Sequence, residues 1–162
     1  MNDKKITRKW FQHSQILVEH LNLEIRQVSA WITTSENLII LISKDGVKWS
    51  IPGGHPEKNE SIDQSLNREI LEESGLEISE LPRKLLGYYL ISEIEDNKED
   101  NYLQLRFQVN LLEDLKENLA PSPTDEVKFV KKVNIKDIPQ FVKWAKDSDD
   151  YNLLLKNSDE NK

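Results

Sequence analysis

Three glutamates, Glu69, Glu72 and Glu73, fall within five residues of one another, with Arg68 beside them and the glycine pair Gly53-Gly54 upstream. Ser61, followed three residues later by Gln64, fits a helix capping box, and Gly75 sits where a helix C-terminal cap belongs. Ile62, Leu66 and Ile70 then supply an apolar stripe. With Ile62 at zero on a helical wheel, Glu73 falls at about 20°, inside that stripe, and Glu69 at about 340°, on its edge. Glu72 lies about 60° further round on the same side. Three costs follow. Glu69 and Glu73 are a like-charge i,i+4 pair, unfavourable by roughly 0.2–0.5 kcal/mol. Glu72 and Glu73 sit in the last turn, where the helix dipole disfavours anions by roughly 0.3–1 kcal/mol each. Partial burial of an unpaired carboxylate costs more than either. A hard divalent cation offsets all three: Mg²⁺ takes oxygen ligands and bridges to substrate phosphates. The alternative is a solvated acidic face on which Arg68 pairs with Glu72 or Glu60 as an ordinary surface ion pair. Periodicity alone leaves both open.

The wider pattern is more specific. Gly54, five residues, Glu60, seven residues, then Arg68-Glu69-Ile70-Leu71-Glu72-Glu73-Ser74-Gly75-Leu76 resembles the Nudix box at every fixed position across 23 residues. The resemblance implies a Nudix fold of mixed α+β class. In it a central mixed sheet lies between helices and the box forms loop-helix-loop. It implies Mg²⁺- or Mn²⁺-dependent hydrolysis of a nucleoside diphosphate linked to another group. By the same resemblance Glu69, Glu72 and Glu73 hold the metals, joined by a backbone carbonyl of Gly53 or Gly54. Arg68 orients the glutamates, and Glu60 pairs with Arg68 or holds outer-shell water. The metals polarise the diphosphate and lower the pKa of a bound water. Glu69, or a carboxylate from a later loop, takes its proton.

Nudix proteins often place a further glutamate in a loop before the last strand. Asp125-Glu126-Val127, followed by Val133 to Pro139, resembles that region; Glu126 is the candidate and Asp125 the second choice. Lys132 stands where the family often has tryptophan. His55 follows the glycine pair and is read either as a phosphate or water contact or as an exposed loop histidine. Trp49 is read as a base-stacking residue or as core, with core the commoner role of a strand tryptophan. The downstream and upstream subfamily signatures for ADP-ribose, diadenosine polyphosphates and coenzyme A are missing, so no substrate is named. The leading expectation is a pyrophosphohydrolase of a small-molecule nucleoside diphosphate derivative. RNA 5′-end pyrophosphate removal is the same chemistry on a polymer and needs a basic track; Lys128, Lys131 and Lys132 form a small cluster, though a charge run is usually a solvated face. A non-catalytic nucleotide sensor is the third reading.

These residues need a scaffold. The 162 residues suffice for one domain with a real core. Strands are expected at 27–33, 37–43, 48–51, 83–94, 102–112 and 126–133, with a turn at 95–100 and one or two helices within 139–156. Residues 1–25 carry Trp10, Ile16, Leu17, Leu21 and Leu23 and no Gly or Pro; they are expected to form an extra N-terminal helix that covers the sheet, lids the site or makes a homodimer. The Nudix domain is then 26–156, and 157–162 a disordered tail. Acids outnumber bases 29 to 22, for a formal charge of −7. That balance excludes a general binder of nucleic acid, which needs a basic face. Residues 54–76 hold six acids and two bases, −4 of the total, which localises the acid excess at the glutamates. The absence of cysteine excludes disulfides and thiol chemistry and fits a cytoplasmic protein. The longest apolar run, Leu38 to Ile42, is too short to span a bilayer, so no membrane association is expected.

Overall fold

A computed structural model describes residues 3–112 and 119–161. Its centre is β2 (Glu24–Thr33), apolar on both faces over Val28 to Ile32 apart from Ser29. Successive strand residues point to opposite faces, so Val28, Ala30 and Ile32 face one core while Trp31 faces another. On the first side lies α1 (Ile62–Ser74), through Leu66 and Ile70. On the second lie α2 (Ile138–Phe141) and α3 (Asp149–Glu160), through Ile138, Val142, Tyr151 and Leu154. The result is a sheet between helices, as expected.

The remaining strands are β1 (Lys5–Gln12), β3 (Leu38–Ser43), β4 (Trp49–Ser50), β5 (Gly53–Gly54), β6 (Arg83–Glu95), β7 (Lys98–Asn110) and β8 (Phe129–Asn134). The sheet runs β1-β6-β7-β2-β3-β4, with β5 beside β2 and β8 beside β3. Among the described residues only β2 and β7 pair in parallel, which makes the sheet mixed. The β6–β7 hairpin turns at Asp96-Asn97, both with positive φ, as a two-residue type I′ turn requires.

The N-terminal segment corrects an expectation. Residues 5–12 form β1, the edge strand, paired with β6 over eight positions; no α-helix lies in residues 3–25, and residues 1 and 2 fall outside the described residues. Two 3₁₀ turns, His13–Gln15 and Val18–His20, lead into β2. The apolar residues in 1–25 make only a rough helical stripe, in which Trp10, Leu17 and Leu21 fall at helical intervals, while Ile6, Thr7, Trp10 and Phe11 are β-branched or aromatic strand formers. What decides the matter is a partner 80 residues away: Phe11 stacks on Tyr88 at 5.3 Å and Trp10 packs on Tyr89 at 4.9 Å. The expected disordered tail is also corrected. Residues 157–160 are the last turn of α3, which no Gly or Pro interrupts, and residue 162 lies outside the described residues.

Candidate active site on the glutamate helix

Helix α1 starts and stops where its sequence says. Ser61 Oγ accepts the Gln64 N–H at 3.1 Å, and Gln64 Oε1 accepts the Ser61 N–H at 2.8 Å, closing the capping box. Gly75 ends the helix in the left-handed conformation, its N–H bonded to Leu71 O at 2.9 Å. No basic residue stands in the last turn to answer Glu72 and Glu73. Leu66 and Ile70 are fully buried, and their stripe carries Glu73 down with them: Glu73 is only 8% exposed.

The glycine pair is positioned by β2. Gly53 pairs with Ser29 and Gly54 with Val28, which brings both to the C-terminal end of α1. A Cβ on Gly54 would lie 2.4 Å from the Glu69 carboxyl carbon, and one on Gly53 would lie 2.3 Å from Val28 O. At Gly53 the β2 backbone and a positive φ exclude a side chain, and at Gly54 a side chain would displace the Glu69 carboxylate. Gly53 N–H donates to Glu73 Oε1 at 2.7 Å.

Arg68 serves the other carboxylates. Its Nη1 donates to Glu69 at 2.9 Å and to Glu72 at 3.3 Å, its Nε donates to Glu60, and its Nη2 donates to the His55 carbonyl. Glu60 therefore steadies the arginine that bridges Glu69 and Glu72. One guanidinium cannot neutralise this group. Burial raises the Glu69 pKa against the opposing pull of Arg68. Glu73 is pushed up to about 8, by burial first and then by the charges of Glu69 and Asp125, although the Gly53 N–H pulls it down.

The loop before β8 forms the second wall. Ser122 N–H bonds to Glu72 O at 2.7 Å, and Ala120 O lies where a Gly75 Cβ would sit, so this loop is fastened to the end of α1. It delivers Asp125, whose charge acts on both Glu69 and Glu73. Glu126, the first-choice candidate, is 79% exposed and ion-paired with Lys44, and that bond lowers its pKa. Lys44 also acts on Glu73, so Glu126 sits one cation away from the cluster while Asp125 faces it. Lys44 is a residue that sequence reasoning missed; the pairing of β3 with β8 joins it to this loop.

The donor set is hard oxygen throughout, with too little positive charge for its burial, which suits Mg²⁺ or Mn²⁺. As the side chains stand, Arg68 bridges Glu69 and Glu72, and no three His, Asp or Glu side chains among the described residues form a ready metal cage.

Other candidates resolve differently. His55 Nδ1 bonds to Arg26 O at 2.8 Å, which pins the loop after the glycines. His20 and Tyr88 share a 2.8 Å hydrogen bond inside the fold, and His13 lies exposed in the preceding turn. Lys131 is clamped between the rings of Trp49 and Phe141, 4.4 Å from each, so the lysine cluster is partly spent on packing.

On the opposite face of the sheet is a second charged group that sequence reasoning missed. Asp150 is fully buried, accepting from Trp31 Nε1 at 2.9 Å and from the Tyr89 hydroxyl at 2.8 Å. Arg106 Nε stands 3.3 Å from the same carboxylate. The available signal was the strict alternation of β7, in which Gln104, Arg106 and Gln108 interleave with Leu103, Leu105, Phe107 and Val109.

A family model described as the NUDIX domain matches residues 23–155. No protein of curated function matches the chain. Among solved structures, the chain is similar to the NUDIX domain of Shewanella oneidensis NrtR complexed with ADP ribose, at 14% identity and a TM-score of 0.58, over 91% of this chain and 94% of that one. It is similar to C. elegans Ap4A hydrolase, at 15% identity and a TM-score of 0.57, over 84% of this chain and 98% of that one. It is also similar to the Bacillus subtilis pyrophosphohydrolase BsRppH, at 17% identity and a TM-score of 0.55, over 80% of this chain and 72% of that one. At these identities the likeness is one of fold. No helix among the described residues is long and apolar enough to cross a membrane.

Proposed function

The chain belongs to the Nudix family, and from that membership we propose that it is a Mg²⁺- or Mn²⁺-dependent pyrophosphohydrolase. Its substrate is a small-molecule nucleotide or nucleoside diphosphate derivative, cleaved at the diphosphate linkage by water. The supporting observation is Glu73, a buried carboxylate with one backbone donor and no paired cation, beside Glu69. A group so placed costs stability unless a cation joins it.

Glu69, Glu72 and Glu73, with a carbonyl of Gly53 or Gly54, would hold the metal. When bound, the cation neutralises the diphosphate and acidifies an attacking water. Arg68 keeps Glu69 and Glu72 aimed through charge-assisted hydrogen bonds, and Glu60 fixes Arg68. Glu69, largely buried and with a raised pKa, is the acceptor for the water's proton. Asp125 contributes further negative charge from the second wall, and Glu126 is held in reserve by Lys44.

The test is phosphate release from a panel of nucleoside diphosphate derivatives with Mg²⁺, with Glu73→Gln as control. Turnover of at least one compound, lost in the variant and in chelator, is expected. No turnover anywhere, or equal turnover in the variant, would overturn the proposal. ADP ribose and Ap4A belong on the panel because structurally similar proteins bind or hydrolyse them.

A further inference from the structure

Arg106, Ser29 and Gly53 stand side by side on one row of the sheet. Arg106 on β7 pairs with Ser29 on β2, which pairs with Gly53 on β5. Adjacent strands lie about 4.8 Å apart, so Arg106 is roughly 10 Å along the row from the glycine that binds Glu73. Between them opens a pocket of about 280 Å³, walled by Arg8, Gln27, Ser29, Gln104, Arg106 and Trp144.

The pocket brings two arginines together in a chain of charge −7. Arg8 and Arg106 flank the Tyr89 ring, their guanidinium carbons 4.5 Å and 5.5 Å from its centroid. Arg8 donates to Gln104 Oε1 at 3.3 Å and pairs with no acid among the described residues. Arg106, 5% exposed, donates from Nη1 to Gln27 Oε1, while its Nε, although 3.3 Å from Asp150, makes no hydrogen bond. The carboxylate of Asp150 is already engaged by Trp31 and Tyr89. Asp147 and Asp149 line the adjoining hollow but pair with neither arginine. Arg106 thus faces a carboxylate that is already engaged, and Arg8's charge works with burial to lower the Arg106 pKa. Like cations crowded in a polar pocket are relieved by an oxyanion.

We propose that this pocket, on the sheet face opposite helix α1 and adjoining the two-residue strand β5, is a specificity subsite for a second anionic group of the substrate, a phosphate or carboxylate carried at a distance from the scissile diphosphate. Arg8 and Arg106 bind it and Gln27, Gln104 and Ser29 complete the polar wall. The inference deepens the hydrolase reading and takes its substrate geometry from it, but the subsite itself is testable without turnover.

The experiment is done on the full chain in chelator, following thermal stability and tryptophan fluorescence during titration with inorganic phosphate and, separately, citrate. Saturable binding of at least one anion is expected, and the tighter of the two identifies phosphate or carboxylate as the preferred group. Arg8→Gln, at an exposed position that leaves the fold intact, weakens the apparent affinity by about tenfold or more, the usual worth of one hydrogen bond to a charged group. Arg8→Lys restores part of it. Glu73→Gln leaves it unchanged, which separates this subsite from the glutamate helix. Absence of saturable binding, indifference to Arg8→Gln, or loss in Glu73→Gln overturns the proposal. For any compound turned over, the KM advantage of a phosphorylated form over its dephosphorylated counterpart is about tenfold in the wild type and near unity in Arg8→Gln. A protein that binds phosphate through Arg8 yet hydrolyses nothing would sink the hydrolase reading and leave the subsite standing.

Discussion

Two buried carboxylates sit on opposite faces of the same sheet, and they are provided for very differently. Asp150 receives a tryptophan N–H, a tyrosine hydroxyl and an arginine at ion-pair distance. Glu73 receives one backbone N–H and faces other acids. Full burial of Asp150 therefore reads as structure: the charge is spent on holding α3 against β2, β6 and β7. The poorer provision for Glu73 reads as function, because natural folds leave buried polar groups unsatisfied mainly where a ligand completes them. Burial alone does not separate the two cases; the inventory of partners does.

The largest expected break in that contrast is catalytic. Replacing Glu69 or Glu73 with Gln keeps shape and removes charge; kcat falls by about 10²–10⁴-fold if either carboxylate handles the water's proton or its cation. Steady-state rates at saturating Mg²⁺ measure this. An undiminished kcat would make Glu73 as structural as Asp150.

Stability then responds to pH in a defined sense. In the folded chain the Glu73 pKa is raised to about 8 from an ordinary 4.5. The folded state therefore binds the proton more tightly than the unfolded chain. Stability from this group is fully present below about pH 4.5 and is lost as pH rises through about 8. At roughly 1.4 kcal/mol per unit the loss is at most about 5 kcal/mol. Denaturant titrations in chelator show it as a difference between wild type and Glu73→Gln that grows in the variant's favour across that window. Mg²⁺ shrinks the difference at pH 8. A difference that stays flat from pH 4.5 to 8 would refute the burial argument.

The opposite outcome is expected at the other carboxylate. Asp150→Ala strands Arg106 in the interior, and breaking a buried pair in this way costs about 3–5 kcal/mol. The midpoint of urea unfolding measures it. The glutamate helix is untouched, so the Mg²⁺ affinity of the folded fraction stays within about twofold.

The contrast also explains what could be read from the sequence. Helix α1, its caps and the burial of Glu73 follow from local spacing alone, because 3.6-residue periodicity and capping chemistry act over a few residues. Strands flanked by helices, with hairpins, point to a mixed α+β or α/β layered fold, and the Nudix box resemblance, whose pattern is likewise contiguous, narrows it to a central mixed sheet between helices. What was missed depends on pairing at a distance. Residues 5–12 form a strand because β6 accepts them, and no local rule distinguishes that segment from a poor helix. Arg106 and Asp150, 44 positions apart, meet only because β7 and α3 pack on the same face. Asp125 outranks Glu126 near the cluster because Lys44, on the far side of β3, claims the latter.

That last pair gives the smallest and most discriminating effect. Glu126 and Lys44 are both exposed, and an exposed ion pair contributes roughly 0–1 kcal/mol. Glu126→Gln should therefore leave the unfolding midpoint nearly unchanged and, if Glu126 stays with its lysine, leave kcat unchanged as well. Asp125→Asn acts on the cluster instead. It removes a charge that raises the Glu73 pKa, so the pH at which the Glu73-dependent stability is lost shifts downward and Mg²⁺ binds more weakly. Isothermal titration with Mg²⁺ on the two variants reads the comparison directly. Weaker metal binding in Asp125→Asn alone assigns the second wall to Asp125. Weaker binding in Glu126→Gln alone means that Glu126 leaves Lys44 when the cation arrives, and that Lys44 had been standing in for it.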